Sequence, residues 1–368
     1  PQGSARGRPA KRIQVAVLSM KTPVLLVVMA TALVLLAGPP GATPQAPPAF
    51  PPESSKKAPQ DTDVDKAPTI KVDVKLVNVF VTVTDEQGAP VGGLKKEDFE
   101  VFEDEQPQSI AVFDRESELP LSIVLSIDTS LSTRKDLKLE LESARRFVHS
   151  TVRKKDAITL YQFSEVVSEL VPFTSDLKRI DQGIARARVG AATALYDAIY
   201  LGGLALYDRQ GRKVMVVITD GADTYSSVKY ADAVRAAQMA EALVYSIIIV
   251  PITSSAGRNT GGEQALIHLA KETGGKYFYA VTPTELDEAF RQVSDELRTQ
   301  YLLAYYPRQR LAKSDFRSIS VLVKGAGMQA ETTPGEGTPA QGSDGPGDAT
   351  KPRFQVRHRA GYYTSKLR

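Results

Sequence analysis

Three short segments carry the oxygen atoms from which chemistry could be built. Asp128-Thr129-Ser130-Leu131-Ser132 places a carboxylate and two hydroxyls on alternate residues, so an extended or turning loop can aim all three at one centre. Gly190-Ala191-Ala192-Thr193 precedes ALYDAIYLGGLAL, which puts Thr193 at the start of a helix with its hydroxyl free to point outward. Asp220-Gly221-Ala222-Asp223 follows the apolar run KVMVVIT. Brought together, Asp128, Ser130, Ser132, Thr193 and Asp220 supply two carboxylates and three hydroxyls, all hard oxygen donors. Mg²⁺ suits such a set, with Mn²⁺ or Ca²⁺ as alternatives, because it takes oxygen ligands, keeps waters and can leave a position for an outside carboxylate.

Local backbone roles compete with that reading. Ser130 and Ser132 could cap a helix beginning near Lys135, and Asp220 could open an Asp-Gly turn. Capping, however, makes no use of Thr193, far away in the chain. Asp223 is read either as a support behind the ligands or as a turn residue, and Thr133, a hydroxyl outside the pattern, is expected to be dispensable.

Composition narrows the chemistry further. The 368 residues include no Cys, which removes disulfide frameworks, zinc ribbons, iron–sulfur ligation and thiol nucleophiles. Only three histidines occur, His149, His268 and His358, each in the setting of a packing or surface residue rather than beside a serine. No Walker loop or dinucleotide glycine motif is present. The chain is therefore read as a binding protein and not an enzyme. The formal charge of +3 contains five basic residues within 1–42 and no acid there, so without that stretch the balance is −2 and nothing draws the rest to nucleic acid.

These residues need elements to hold them. Apolar runs at 121–127, 157–163, 213–219, 244–250 and 276–280 alternate with amphipathic helical patterns, among them Leu137, Leu141, Ala144 and Val148. Residues 121–300 are thus expected to form an α/β domain, a doubly wound, mainly parallel sheet with helices on both faces. In such sheets ligands bind beyond the carboxyl ends of the strands where the winding reverses, which is where Asp128 and Asp220 fall. Residues 70–118 show period-two alternation and 301–368 hold further strands. We expect them to combine into a small β-sandwich-like unit with the α/β domain inserted, and a loop at 329–352 rich in Gly and Pro. Residues 22–38 are an uncharged apolar run preceded by Lys21, so 1–42 reads as a signal peptide, with Met20 a candidate natural start, or as an uncleaved anchor that would be the chain's contact with a membrane. A proline-rich linker spans 43–67.

The D-x-S-x-S at 128–132, Thr193 in G-x-x-T-x-L-Y-D-A and Asp220 in I-T-D-G-x-D resemble the metal-ion-dependent adhesion site of von Willebrand factor type A domains. The flanks, VNVFVTVTDEQGAPVGGLKKEDFEVFEDEQPQSIAVF on one side and YLLAYYP with RAGYYT on the other, are similar to exported bacterial proteins related to that family, those of Acidobacteria especially. The resemblance implies direct ligation by Ser130 and Ser132, ligation by Thr193 directly or through water, and Asp128 and Asp220 often acting through water. It also implies a protein ligand whose acidic side chain completes the metal's coordination, in a periplasmic, envelope or extracellular setting. A structural scaffold of an envelope assembly, with the metal only stiffening the loops, is the alternative. Oligomeric state is left open.

Overall fold

Val77, Val79, Val81 and Val83 alternate with Asn78, Phe80 and Thr82, and this alternation makes β1 (Val77–Thr84), whose valines all enter a core. β2 (Phe99–Glu103) and β3 (Gln106–Gln108) form a hairpin, followed by β4 (Ile110–Arg115). The hairpin turns through Asp104 and Glu105, both at positive φ (46° and 63°), a backbone whose twist matches that of the paired strands. The computed structural model describes residues 76–115, 118–221, 223–250, 260–308, 315–324 and 354–364. The signal segment, the proline-rich linker and the loop at 329–352 expected from the sequence lie outside them.

Continuous apolar runs then alternate with helices: β5 (Leu121–Asp128), α1 (Leu137–Thr151), β6 (Ala157–Phe163), β7 (Val167–Thr174), α2 (Leu177–Ile184), α3 (Leu195–Tyr207), β8 (Arg212–Thr219), α4 (Tyr230–Met239), β9 (Leu243–Ile249), α5 (Thr260–Thr273), β10 (Tyr277–Ala280) and α6 (Pro283–Thr299). The strands lie in the order β10-β9-β8-β5-β6-β7. All neighbours are parallel except β6 and β7. One face is covered by α1, α2 and α6 through Phe147, Ile180 and Phe290, the other by α3, α4 and α5 through Leu195, Ala237 and Leu269. This is the expected mixed α/β architecture. β7 is an addition to it: Glu169 and Pro172 interrupt its apolar pattern, and both are tolerated because β7 is an edge strand with one side unpaired.

Through Gln300 the chain passes from α6 into β11 (Tyr301–Tyr305), then β12 (Phe316–Val323), β13 (Gln355–Arg357) and β14 (Gly361–Tyr363). Two four-stranded sheets result, β13-β1-β11-β4 and β14-β12-β2-β3. Strands from before and after the α/β region pair directly, Val77 opposite Tyr305 and Val101 opposite Val321. The two sheets share a core of Val79, Val81, Phe99, Leu303, Val321 and their neighbours. The last two strands go to different sheets: β13 pairs with β1 and β14 with β12. Arg357 pairs with Glu296 at 2.6 Å and the buried Arg359 with Glu241 at 3.3 Å.

Glu296 of α6 ties the two regions together. Its carboxylate accepts from Thr82 of β1 (3.1 Å), Tyr245 of β9 (2.9 Å) and Arg357 of β13. Among the described residues no helix is long and apolar enough to cross a membrane.

Candidate functional site

β5 and β8 are adjacent and parallel, and the crossovers run in opposite directions from this pair, so their carboxyl ends frame a crevice. Asp128 closes β5 with no exposed surface. One of its oxygens accepts from the Ser130 N–H at 2.8 Å and the other from the hydroxyl of Thr219, the last residue of β8, at 2.7 Å. Its carboxylate thus bridges the two strand ends. Burial pushes the Asp128 carboxyl up to about 6 despite those donors, and the charge of Asp220 adds to the rise.

The hydroxyls of Ser130 and Ser132 lie 3.0 Å apart. Ser130 is buried, Ser132 is exposed, and Leu131 between them has 57% of its surface in solvent. Neither serine caps α1, which begins at Leu137 after Asp136. Thr133 is a different matter from what the sequence led us to expect. Buried, it donates from its hydroxyl toward the carbonyls of Asp128 (3.2 Å) and Ser130 (3.1 Å), pinning the turn that presents both serines. Thr133→Ala is therefore expected to lower stability by about 1 kcal/mol, read by denaturant unfolding, where the sequence alone made it a silent change.

Thr193 is buried just before α3, and its hydroxyl makes no hydrogen bond among the described residues. Its backbone is held on both sides: its N–H donates to the Thr224 hydroxyl at 3.0 Å, and its carbonyl accepts from the N–H groups of Thr224 and Tyr225 at 2.9 Å. It does not cap the helix, which starts at Leu195. Asp223 does so from the neighbouring loop, accepting from the N–H groups of Leu195 (2.9 Å) and Tyr196 (3.3 Å) and from the Ser226 hydroxyl. Asp197 returns the connection by accepting from the N–H groups of Ser227 and Val228. Asp223 is accordingly the stitch between the Thr193 and Asp220 segments. Gly190 completes the join by donating its N–H to the Thr129 carbonyl at 2.8 Å, in a position where a Cβ would collide with Ser164.

Asp220 follows β8, half-buried, and precedes Gly221, whose φ of +87° few other residues adopt without strain. The Asp128, Thr193 and Asp220 segments therefore meet at one edge of the sheet, joined by backbone and side-chain hydrogen bonds. Sequence reasoning missed Glu140, in the first turn of α1, which is buried with both carboxylate oxygens unpartnered. A signal existed: counting from Leu137 by three and then four reaches Glu140 and Ala144, both on the sheet-facing side.

Whether these residues suit a divalent cation is a question of donor chemistry. Among the described residues, no three Asp, Glu or His side chains group closely enough to hold an ion by themselves. A paired set of hydroxyls and a free threonine hydroxyl between two strand-end carboxylates do fit a hard cation held largely by neutral oxygens.

Residues 123–222 match the von Willebrand factor type A domain family. The type A match takes in Asp128, Ser130, Ser132, Thr193 and Asp220 and ends within the loop after β8. Solved structures with this kind of fold include BatB from Bacteroides thetaiotaomicron (18% identity, TM-score 0.40, 49% of this chain and all of that one). The vWF domain of the pili tip protein Mfa5 from Porphyromonas gingivalis shares 15% identity at a TM-score of 0.42, over 48% of this chain and 94% of its own. A von Willebrand factor type A protein from Catenulispora acidiphila shares 13% at 0.44, over 62% of this chain and 70% of its own. No functionally curated protein matches the sequence.

Proposed function

We propose that the chain is an exported, non-enzymatic protein-binding module of the bacterial envelope or its exterior, related to the von Willebrand-type proteins its flanks resemble. Its type A-like domain holds a divalent cation, Mg²⁺ in the first instance, and engages a protein partner through an acidic side chain. The observation that carries this reading is the pairing of the Ser130 and Ser132 hydroxyls at 3.0 Å above a fully buried Asp128. Asp128 is fully used in bracing the loop, so it positions the serines and offers the ion contact through water at most. Ser130, Ser132 and Thr193 are the hydroxyl donors, and Asp220 contributes charge from the opposite strand end. The ion, when bound, supplies a positive centre able to take an outside carboxylate. Leu131 and Tyr225, 57% and 44% exposed, flank this edge and offer apolar contact to a partner. Two of the three histidines are engaged away from the serines, His149 with Asp181 at 3.0 Å and His358 accepting from the Val321 N–H, which favours binding over nucleophilic catalysis. The apolar run at 22–38 supports export.

Mg²⁺ and Mn²⁺ are expected to raise the unfolding temperature of the full chain, with a stabilisation that grows with the logarithm of their concentration and reaches roughly 2.7 kcal/mol at a hundredfold excess over the dissociation constant. Thr193→Ala should fold and bind the ion more weakly. Absence of both calorimetric heat and thermal shift with either ion defeats the proposal. For the partner, a pull-down from envelope extract in Mg²⁺ against EDTA separates ion-dependent ligands from the rest, and partners that ignore both EDTA and Asp128→Ala would assign the chain a scaffold role instead.

A further inference from the structure

At the amino edge of the large sheet, opposite the candidate ion centre, four cations stand without an ion-pair partner. β5 and β6 are parallel, so α1, which connects them, ends at that edge. β7 runs antiparallel to β6 with Thr174 opposite Ile158, so α2 starts there as well. Arg153 and Lys154 follow α1, and Lys178 and Arg179 lie in the first turn of α2. All four are exposed, and their side chains make no hydrogen bond or ion pair among the described residues. Asp181 of α2 holds the two groups side by side, meeting Arg145 and His149 of α1 at 3.0 Å each. The other acids nearby are engaged by backbone: Asp156 accepts from the N–H groups of Leu121 and Arg153, and Asp176 from those of Lys178 and Arg179. Nor does α2 gain from its two cations. The first turn of a helix is its positive end and disfavours Lys and Arg, and this turn holds no acid of its own.

We infer that this end of the α/β domain docks on a surface of anionic lipid headgroups through Arg153, Lys154, Lys178 and Arg179. Cations held within a Debye length of such a surface are attracted to it, and those without a partner in the protein have no ion pair to give up on contact. No large apolar side chain is exposed from 140 to 165 or from 167 to 188. The contact is therefore to headgroups and not to the acyl region, and the end offers no aromatic ring on which nucleic-acid bases could stack. The sequence itself brings the chain to a membrane, through the apolar run at 22–38 that precedes β1 by residues 39–76. A domain docked in this way turns its opposite, carboxyl edge away from the lipid. The Ser130, Thr193 and Asp220 segments then face outward whether or not an ion occupies them, so the inference stands apart from the ion.

The test exposes the full-length protein to an amine-acetylating reagent in the presence of vesicles of phosphatidylcholine alone or of phosphatidylcholine mixed with phosphatidylglycerol, and reads each lysine by mass spectrometry. An apolar run that inserts does so in both, so the comparison isolates the charged contact. Lys135 and Lys229, exposed ahead of α1 and α4 at the carboxyl edge, are the controls. The expected result is protection of Lys154 and Lys178, and of neither control, on the anionic vesicles only, lost as salt rises from about 0.1 M to about 1 M. Arg153→Gln combined with Arg179→Gln keeps both reporter lysines and should weaken the contact roughly 30-fold, abolishing the protection at an unchanged unfolding temperature. Equal labelling of Lys154 and Lys178 on the two kinds of vesicle overturns the inference, as does equal protection of the controls or protection that survives in the double variant. Protection by duplex DNA with none by the vesicles overturns the assignment to lipid.

Discussion

Glu103→Ala is expected to cost the folded chain about 3–5 kcal/mol, the penalty for stripping one partner from a buried ion pair. Glu103 and Arg317 face each other across β2 and β12 with 2% and 4% of their side chains exposed. The second carboxylate oxygen also accepts from Tyr305 at 2.7 Å and Tyr362 at 2.9 Å. Alanine takes the Glu103 acceptor away from a buried guanidinium and two phenol hydroxyls at once. Chemical denaturation with an unchanged slope should give the number, and a loss below about 1 kcal/mol would mean that water reaches these groups and that the pair contributes no more than a surface one. Glu103→Leu combined with Arg317→Met should recover most of the loss, since the cost comes from the orphaned charge and not from the absence of a charged pair.

Ion-free protein is expected to lose stability steadily between about pH 4 and pH 8. Burial raises the carboxyls of Glu272, Glu140 and Asp128, that of Glu140 from an ordinary 4.5 to about 8 and that of Asp128 from 3.8 to about 6. The stability associated with keeping each one neutral is fully present below its ordinary value and disappears as pH climbs through its folded value. Saturating Mn²⁺ should flatten that decline, because the ion balances the charges that form. Unfolding temperatures measured in EDTA and in Mn²⁺ across this range check it. An EDTA curve that rises toward pH 8 would show that these acids are already compensated by other groups.

Much of the α/β architecture was legible because buried parallel strands read as unbroken apolar runs, and Leu121–Asp128 or Leu243–Ile249 admits no other assignment at that length. β7 was not, since Pro172 and Glu169 in an edge strand erase both the run and the alternation. The sandwich strands around Val79 were legible from period two, whereas the turn at Asp104-Glu105 lacks the Gly or Asn that marks positive φ. At the site, chain position alone located Asp128 and Asp220, because a residue ending a central strand must lie at the crevice. The supports were hidden. Thr133, Thr219 and Asp223 work through backbone groups of distant segments, and a hydrogen bond across the fold leaves no periodic trace. Glu140 was concealed because Leu141 beside it completed an apolar stripe about as well, and only packing shows which side of α1 is covered.

The junction between the two regions has a mechanical meaning. Arg115, where the chain leaves β4, lies directly opposite Tyr301, where it enters β11, so both connections to the α/β region start from one end of a strand pair. β1, on the other side of β11, begins at Val77 opposite Tyr305, the far end of the same ladder. A chain gripped ahead of Val77 and tugged through the outer edge of the α/β region is thereby pulled at opposite ends of neighbouring strands. Such a force slides β1 along β11 and loads their hydrogen bonds side by side, where a pull at a shared end would peel them open one after another. A lengthwise pull between Val77 and the α/β region therefore meets the β1–β11 ladder in shear, with its hydrogen bonds loaded together.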